Sequence, residues 1–149
     1  SRCGLVNISG SENQNRVRKG DVFFTTSSET PEEIGMASVL LDEIGEMYLN
    51  SFCFGYRLNS TDILHPHFSR YLFRSKIFRA EIMKLAQGST RFNMSKIEMM
   101  KIEVYVPSLT EQTLIANFLS SFDEKIEIEK KILEQYKNQK AYLLQNLFI

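Results

Sequence analysis

Short apolar runs separated by turn residues dominate the first two thirds of this chain. An apolar, β-branched run from Val22 to Thr26 follows the turn residues Gly20 and Asp21, which predicts a strand. A second short apolar run covers residues 36–41, and a turn around residues 42–46 follows it. Residues 52–58 alternate between apolar and polar side chains. Because a period of two is typical of a half-buried strand, this segment predicts another strand.

Two helices are predicted after Pro66 from apolar residues spaced three or four apart. Their apolar faces consist of Phe68, Tyr71 and Leu72 in the first helix and Phe78, Ile82 and Leu85 in the second. Ser75 lies between them and is expected to break or cap the chain. Gly88 is expected to end the second helix, since glycine is common just beyond helix C-termini.

The segments at 27–33 and 88–93 are polar, and we predict that both are loops. Ser95 and Glu98 have the spacing of a capping box, in which each side chain bonds the backbone N–H of the other residue. This pair predicts a short helix. Apolar residues then alternate with Glu and Tyr over residues 102–106, which predicts a further strand.

A long helix is predicted from Ser108 to the end of the chain. Ser108 and Glu111 form a second capping box, and no Gly or Pro follows. Heptad spacing begins at Ile115, and eight of its ten positions are apolar, which is typical of a coiled coil. The two polar positions are Glu129 and Lys140. We call the eight apolar positions the seam: Ile115, Leu119, Phe122, Ile126, Leu133, Tyr136, Leu143 and Leu147.

This predicted helix is too long to pack on a small globule along its whole length. About 38 residues of helix extend ~57 Å at 1.5 Å per residue. We therefore expect the seam to pack against another helix. Asp123 offers an alternative in which a short helix is followed by a longer one.

Length and composition fit one folded domain with an extended element. The chain has 149 residues, of which 43% are hydrophobic and 24% charged, as in ordinary folded proteins. The element pattern predicts an α+β fold, a small domain of mixed strands and helices followed by a long C-terminal coiled-coil helix. No apolar run approaches the 18–20 residues, roughly, that a bilayer span needs.

The termini and cysteines indicate the compartment. Cys3 and Cys53 are too few for a disulfide scaffold and lack metal-ligand spacing, so we expect free thiols in a reducing compartment. The first residues lack the apolar region of a signal peptide. We expect a cytoplasmic protein. The chain starts at Ser1 rather than Met, and we expect it to be a trimmed chain or a fragment.

A net charge of zero hides a polarised distribution. Residues 21–56 carry seven acids and no Lys or Arg, whereas residues 57–101 carry nine basic and three acidic side chains. A polyanionic partner would respond to the basic segment rather than to the total charge. Such blocks also arise on ordinary solvated surfaces, so charge alone leaves both interpretations open.

An enzyme site would have to use Cys53, His65 or His67. A Cys–His pair can form a nucleophile. Cys53, however, lies in the apolar alternation between two phenylalanines, where a cysteine commonly acts as a small buried hydrophobe. His65 and His67 flank Pro66 at a predicted helix start. The sequence contains no phosphate-binding glycine loop and no metal-ligand spacing, so an active site is not expected.

Binding of DNA is the stronger hypothesis. Arginine and lysine neutralise phosphates, and arginine can read guanine edges bidentately. Residues 89–93 form a polar loop suited to base edges, and residues 25–28 form a second candidate loop. The candidate DNA-binding residues are Thr25, Thr26, Ser27, Arg70, Arg74, Arg79, Ser89, Thr90, Arg91 and Asn93. The same residues also fit solvated helix faces and a plain connecting loop.

The order of these motifs resembles the specificity subunit of type I restriction–modification systems. The resemblance covers nearly the whole chain and depends on the combination of its motifs. The matching segments are Gly20–Thr30, Tyr48–Phe52, Gly88–Asn93, Pro107–Gln112, then Ile115, Leu119, Asp123 and Ile126, and finally Tyr142–Phe148.

The resemblance implies a non-catalytic DNA-recognition role. Family members hold target recognition domains that each read one half of a split DNA sequence, separated by helices that pair as an antiparallel coiled coil. Here residues 1–107 would form a target recognition domain that lacks its N-terminal part, and residues 108–149 the conserved spacer helix. The helix would pair with a second recognition domain or a second copy.

By the same resemblance, catalysis belongs to other subunits. Methyltransferase and restriction subunits are the implied partners, and they would supply S-adenosylmethionine, ATP and Mg²⁺ chemistry. No cofactor or metal is expected in this chain. Two alternatives stay open: a coiled-coil interaction module without DNA binding, and a cysteine-dependent enzyme built on Cys53.

Overall fold

The computed structural model describes residues 7, 9 and 14–147. It contains a small antiparallel sheet, short helices beside it and one long C-terminal helix. This confirms the predicted α+β class. The strands are β1 (Val22–Thr25), β2 (Ser27–Ser28), β3 (Ala37–Val39), β4 (Cys53–Tyr56) and β5 (Phe92–Asn93). The helices are α1 (Pro66–Leu72), α2 (Lys76–Lys84), α3 (Lys96–Met99) and α4 (Leu109–Leu147), with a 3₁₀ turn at Pro31–Glu33.

The central sheet has the order β3–β1–β4, and both pairings are antiparallel. Phe24 on β1 lies opposite Ala37 on β3 and Phe54 on β4. All three side chains are buried on one face of the sheet. The predicted strands at 22–26 and 52–58 are thus confirmed, and β3 forms within the apolar run at 36–41.

The core is an aromatic cluster between this sheet face and the helices. The Phe24 ring stacks on Phe54 with ring centroids 5.3 Å apart and meets the edge of Phe73 at 5.2 Å. Phe78 on α2 lies 4.9 Å from Phe73. Burying such large rings is the main source of stability in a domain of this size.

Local signals place the starts of the short helices as predicted. Pro66 occupies the first turn of α1, where its missing N–H costs no hydrogen bond. The Ser75 side chain accepts a hydrogen bond from the Phe78 N–H and so caps α2. Ser95 caps α3 by accepting from the Glu98 N–H, whereas the Glu98 carboxylate bonds Lys101 instead of completing the capping box.

An ion pair between the buried Asp21, just before β1, and the exposed Arg57, just after β4, joins the two ends of these paired strands. Both side-chain oxygens of Asp21 accept hydrogen bonds at 2.6 Å from Arg57, one from Nε and one from Nη2. Asp21 also accepts from the Arg18 backbone N–H at 2.7 Å. Only 5% of the Asp21 side chain is exposed. Paired and bonded in this way, a buried carboxylate remains ionised.

The long helix is continuous, and its first turns are fixed to the globule. The Ser108–Glu111 capping box is confirmed, because the Glu111 carboxylate accepts from both the N–H and hydroxyl of Ser108. The fully buried Gln112 accepts from the His65 N–H and donates to the carbonyls of Ile63 and Pro107. The break considered at Asp123 does not occur.

Three other local predictions need correction. Residues 102–106 are not a strand: the half-buried Ile102 and Val106 pack on the core, but no strand of the described chain pairs with this segment. Helix α2 ends at Lys84, so Gly88 is not its stop. The predicted loops at 27–33 and 88–93 contain β2, the 3₁₀ turn and β5. Cys3 and Phe148 lie outside the described residues.

Candidate nucleic-acid interface

Residues 87–93 form a closed loop rather than a free connector. The backbones of Gln87 and Asn93 exchange two hydrogen bonds of 2.8 and 2.9 Å across the base of the loop. Gly88 has a φ of +134°, and a Cβ there would lie 2.1 Å from the Arg91 carbonyl oxygen. Only glycine fits this turn without movement of the backbone. The loop therefore has a defined shape while its tip stays exposed.

Thr26 connects the end of this loop to the segment that contains Phe52. Its carbonyl accepts from the Met94 N–H at 3.0 Å, while its N–H and its hydroxyl both donate to the Phe52 carbonyl at 2.9 Å. Strands β2 and β5 also pair, with Ser27 opposite Asn93. The two loops predicted to read DNA are thus adjacent. We call the 87–93 loop together with Thr26, Ser27 and Phe52 the loop face.

Arg91 lies at the centre of the loop face. Its Nε donates to the Ser27 hydroxyl oxygen at 2.7 Å, and its guanidinium carbon lies 5.7 Å from the centroid of the Phe52 ring. The Phe52 side chain is 58% exposed. The sequence pattern assigned Phe52 to a half-buried strand and did not identify it as a site residue. The missed signal is a large aromatic placed directly after the polar pair Asn50–Ser51.

The other polar candidates on or near this face differ in the hydrogen bonds that their side chains already make within the protein. Ser89 and Thr90 are exposed at the loop tip. The Asn93 amide nitrogen makes one long hydrogen bond of 3.5 Å to the Arg91 carbonyl. The Thr25 hydroxyl donates to the Met36 carbonyl at 3.4 Å, so Thr25 and Thr26 hold the fold locally.

The three helix arginines proposed for DNA binding, Arg70, Arg74 and Arg79, make internal hydrogen bonds or ion pairs. Arg79 donates to the carbonyls of Ile34 and Glu32 at 2.7 and 2.6 Å, and burial lowers its pKa. Arg74 donates through Nε to the Ala37 carbonyl. Arg70 pairs with Asp123 of α4 at 3.1 Å. None of these bonds is to a residue of the loop face.

The alternative catalytic residues are not assembled into a site. Cys53 lies on β4 opposite Thr25, and burial raises the pKa of its thiol, which disfavours the reactive thiolate. The His65 and His67 rings stack at 5.5 Å, and His65 Nδ1 is buried without a hydrogen-bond partner. Within residues 14–147, no three metal-ligating side chains are grouped to hold an ion.

Among the described residues, the seam of α4 lies mostly in solvent. Its side chains are exposed along the helix, for example 50% at Ile126 and 54% at Leu133, and Leu119 alone among them is half-buried. Phe122, Ile126 and Leu133 line a shallow groove with the aliphatic parts of neighbouring charged residues. No described helix is both long and apolar enough to span a membrane.

Comparison with known proteins places these features in one family. The family model described as a type I restriction modification DNA specificity domain matches residues 4–138. The type I restriction enzyme MjaVIII specificity subunit of Methanocaldococcus jannaschii is 29% identical over 104 residues, covering 70% of this chain and 24% of that protein. The MjaIX specificity subunit of the same organism is 34% identical over 79 residues, covering 53% and 18%.

The fold has a solved counterpart. The crystal structure of a type I restriction–modification system S subunit from M. genitalium superposes with a TM-score of 0.69 at 22% identity. The match covers 97% of this chain and 36% of that chain. At this identity the likeness establishes the fold. The chain spans about a quarter or less of the length of the curated relatives it matches.

Proposed function

This chain belongs to the family of type I restriction–modification DNA specificity domains, and from that premise we propose that it recognises a DNA sequence for a type I restriction–modification enzyme. The observation that supports the proposal best is the loop face. It brings two separate polar segments together around an exposed arginine and an exposed aromatic ring. Such groups offer donors, acceptors and an apolar surface to base edges.

Base reading is assigned to the exposed groups of the loop face. Ser89, Thr90 and Arg91 lie at the loop tip, and Ser27 and Asn93 lie beside it. Thr25 and Thr26 support this surface through their hydrogen bonds to backbone carbonyls.

Phosphate contacts belong to a second set of residues. Arg70 and Arg74 remain candidates because one hydrogen bond or ion pair leaves other guanidinium donors available. Arg79 has both Nη groups bonded to carbonyls and serves the fold in this proposal. Contacts to phosphates position the domain without specifying sequence.

The seam is the proposed site of assembly. A second recognition domain, or a second copy of this chain, would cover it by pairing its own helix antiparallel to α4. The helix would also dock the methyltransferase and restriction subunits. Exposed heptad positions over most of a 39-residue helix support this assignment.

Catalysis is assigned to the partner subunits, and the family points to a non-catalytic role for the specificity component. In this proposal methyl transfer from S-adenosylmethionine and ATP- and Mg²⁺-dependent cleavage take place on those partners in the cytoplasm. The raised pKa of the Cys53 thiol argues against the cysteine-enzyme alternative. A cysteine-dependent activity lost on Cys53→Ala would revive it.

Selection from random DNA tests the proposed function. The chain is mixed with its methyltransferase partner and a pool of random duplexes, and the retained DNA is sequenced. We expect enrichment of a short half-site. The coiled-coil module is the second candidate, favoured by the exposed seam, and it predicts partner binding without enrichment. That result would contradict the DNA-recognition proposal.

A further inference from the structure

Arg91 is held in place before any DNA is present. Its Nε bonds the Ser27 hydroxyl, and its guanidinium stacks near the Phe52 ring. Ser27 is 64 positions away from Arg91 in the chain. Phe52 belongs to a third segment, and its carbonyl accepts hydrogen bonds from Thr26. The closed 87–93 loop fixes the backbone beneath the side chain. A hydrogen bond, a ring contact and a closed backbone loop thus restrain Arg91 more than a solvated surface residue, which normally samples many rotamers.

The restraints leave a specific pair of donors available. Ser27 occupies Nε, and among residues 14–147 no protein acceptor bonds Nη1 or Nη2 of Arg91. The two Nη groups form a planar fork of fixed geometry. In the major groove guanine presents two adjacent acceptors, O6 and N7, whereas adenine presents one acceptor and one donor. A fixed fork of two donors therefore matches guanine and opposes adenine.

We propose that Arg91 reads a guanine in one G·C base pair of the target, and that Ser27 and Phe52 are the residues that position its guanidinium. This inference rests on the proposed DNA-recognition function and specifies its chemistry. Positioning lowers the conformational cost of binding, because less side-chain freedom is lost when the arginine meets the base. Ser27 and Phe52 then affect base discrimination without touching that base themselves.

The test measures discrimination one base pair at a time. The Kd of the full chain with its methyltransferase partner is measured for the selected duplex and for duplexes with each base pair replaced in turn. The variants are Arg91→Lys, Ser27→Ala and Phe52→Leu. Arg16→Lys is the matched control, since Arg16 is exposed and its guanidinium pairs only loosely with Glu46 at 3.9 Å.

Arg91→Lys keeps the charge and removes the fork. We expect its preference for one G·C pair to fall at least about tenfold, while affinity for a duplex without the site changes less than about twofold. Ser27→Ala and Phe52→Leu are expected to lower the preference at the same pair by about three- to tenfold. Arg16→Lys is expected to leave the whole profile unchanged.

The results distinguish a failure of the Arg91 inference from a failure of the proposed DNA-recognition function. A wild-type chain with the same Kd for every duplex would overturn the proposed function itself. A wild-type chain that discriminates, with Arg91→Lys weakening all duplexes equally, would make Arg91 a phosphate contact and overturn the inference. Loss at different base pairs in the Ser27 and Arg91 variants would overturn the positioning roles.

Discussion

Single residues fix the shape of the loop face, and Gly88 gives the sharpest test. Gly88→Ala places a Cβ 2.1 Å from the Arg91 carbonyl oxygen at a φ of +134°. Because the obstructing atom is backbone, the loop has to move. We expect a loss of about 1–3 kcal/mol in the free energy of unfolding, measured by urea denaturation, together with weaker retention of the selected DNA.

Gly45→Ala is the control for this substitution. A Cβ at Gly45 meets no atom within 4 Å, so its free energy of unfolding should change by no more than about 0.5 kcal/mol. Equal effects of the two substitutions would show that the 87–93 loop does not have the closed shape described here.

Titration of the Asp21 carboxyl is expected to make the stability of the fold depend on pH. Burial raises the pKa of this carboxyl, but hydrogen bonds from Arg57 and the Arg18 N–H outweigh that effect and hold it below its usual value. A lowered folded-state pKa stabilises the fold above the unfolded value of about 3.9. That contribution is lost as the pH falls through the folded-state pKa.

We expect the free energy of unfolding of the wild-type chain to fall more steeply below about pH 4 than that of Asp21→Asn, which cannot titrate. Urea denaturation at a series of pH values measures both slopes. Asp62→Asn, at an exposed position, should keep the wild-type slope. Parallel slopes for wild type and Asp21→Asn would show that Asp21 does not contribute to the pH dependence of stability.

Among the elements, α4 combines a fixed end with an exposed remainder. Gln112, the Arg70–Asp123 pair and the hydrogen bond from the Tyr71 hydroxyl to Asp123 hold its first turns on the globule. Beyond Asp123 the helix is exposed. In our proposal a partner helix stabilises this part of α4, because an unpacked amphipathic helix gains little from propensity alone.

Ile126→Glu puts a charge into the seam without disturbing the globule, since Ile126 is 50% exposed and is not part of the core cluster. We expect circular dichroism of the globule to be unchanged, and partner-helix association to weaken at least about tenfold from the cost of desolvating the new charge. Sedimentation equilibrium measures the association. Gln135→Glu adds the same charge outside the seam and should associate like wild type.

Equal association by Ile126→Glu and wild type would place the partner surface elsewhere on α4. A wild-type chain that stays monomeric at high concentration would exclude pairing of two copies. It would leave a second recognition domain as the partner in our proposal.

An element can be predicted from the sequence when the interactions that form it join residues close together in the chain. It cannot be predicted in this way when those interactions join distant residues. Ser75, Ser95 and Ser108 cap helices through neighbours three residues away, and the sequence alone identifies all three. Residues 102–106 have the alternation of a strand but pair with no strand of the described residues, and a partner strand is a property of the tertiary fold. Strands β2 and β5 hold two residues each and form only because the fold brings them together.

The candidate site divides in the same way. Polar residues at 25–28 and 89–93 are visible in the sequence as loops with donors and acceptors. Their adjacency, and the Phe52 ring beside Arg91, depend on pairings between residues far apart in the chain. The hydrogen bonds from Arg79 to backbone carbonyls likewise cannot be predicted by counting basic residues in the sequence.

At the scale of the whole molecule, our proposal assigns recognition and assembly to different parts of the chain. The loop face belongs to the globule, and the exposed seam extends away along a helix of 39 residues, or about 58 Å. A rigid helix between a DNA-reading surface and a partner surface would hold the two at a set spacing.

The most direct test of the central claim compares two duplexes of identical base composition. The Kd of the chain with its methyltransferase partner is measured for the selected half-site and for a shuffled version, in one buffer of stated salt concentration. We predict that the shuffled duplex binds at least about tenfold more weakly, since each mismatched base pair costs about 1–3 kcal/mol, and that Arg91→Ala reduces this ratio. Equal Kd values for the two duplexes would contradict sequence recognition by this chain.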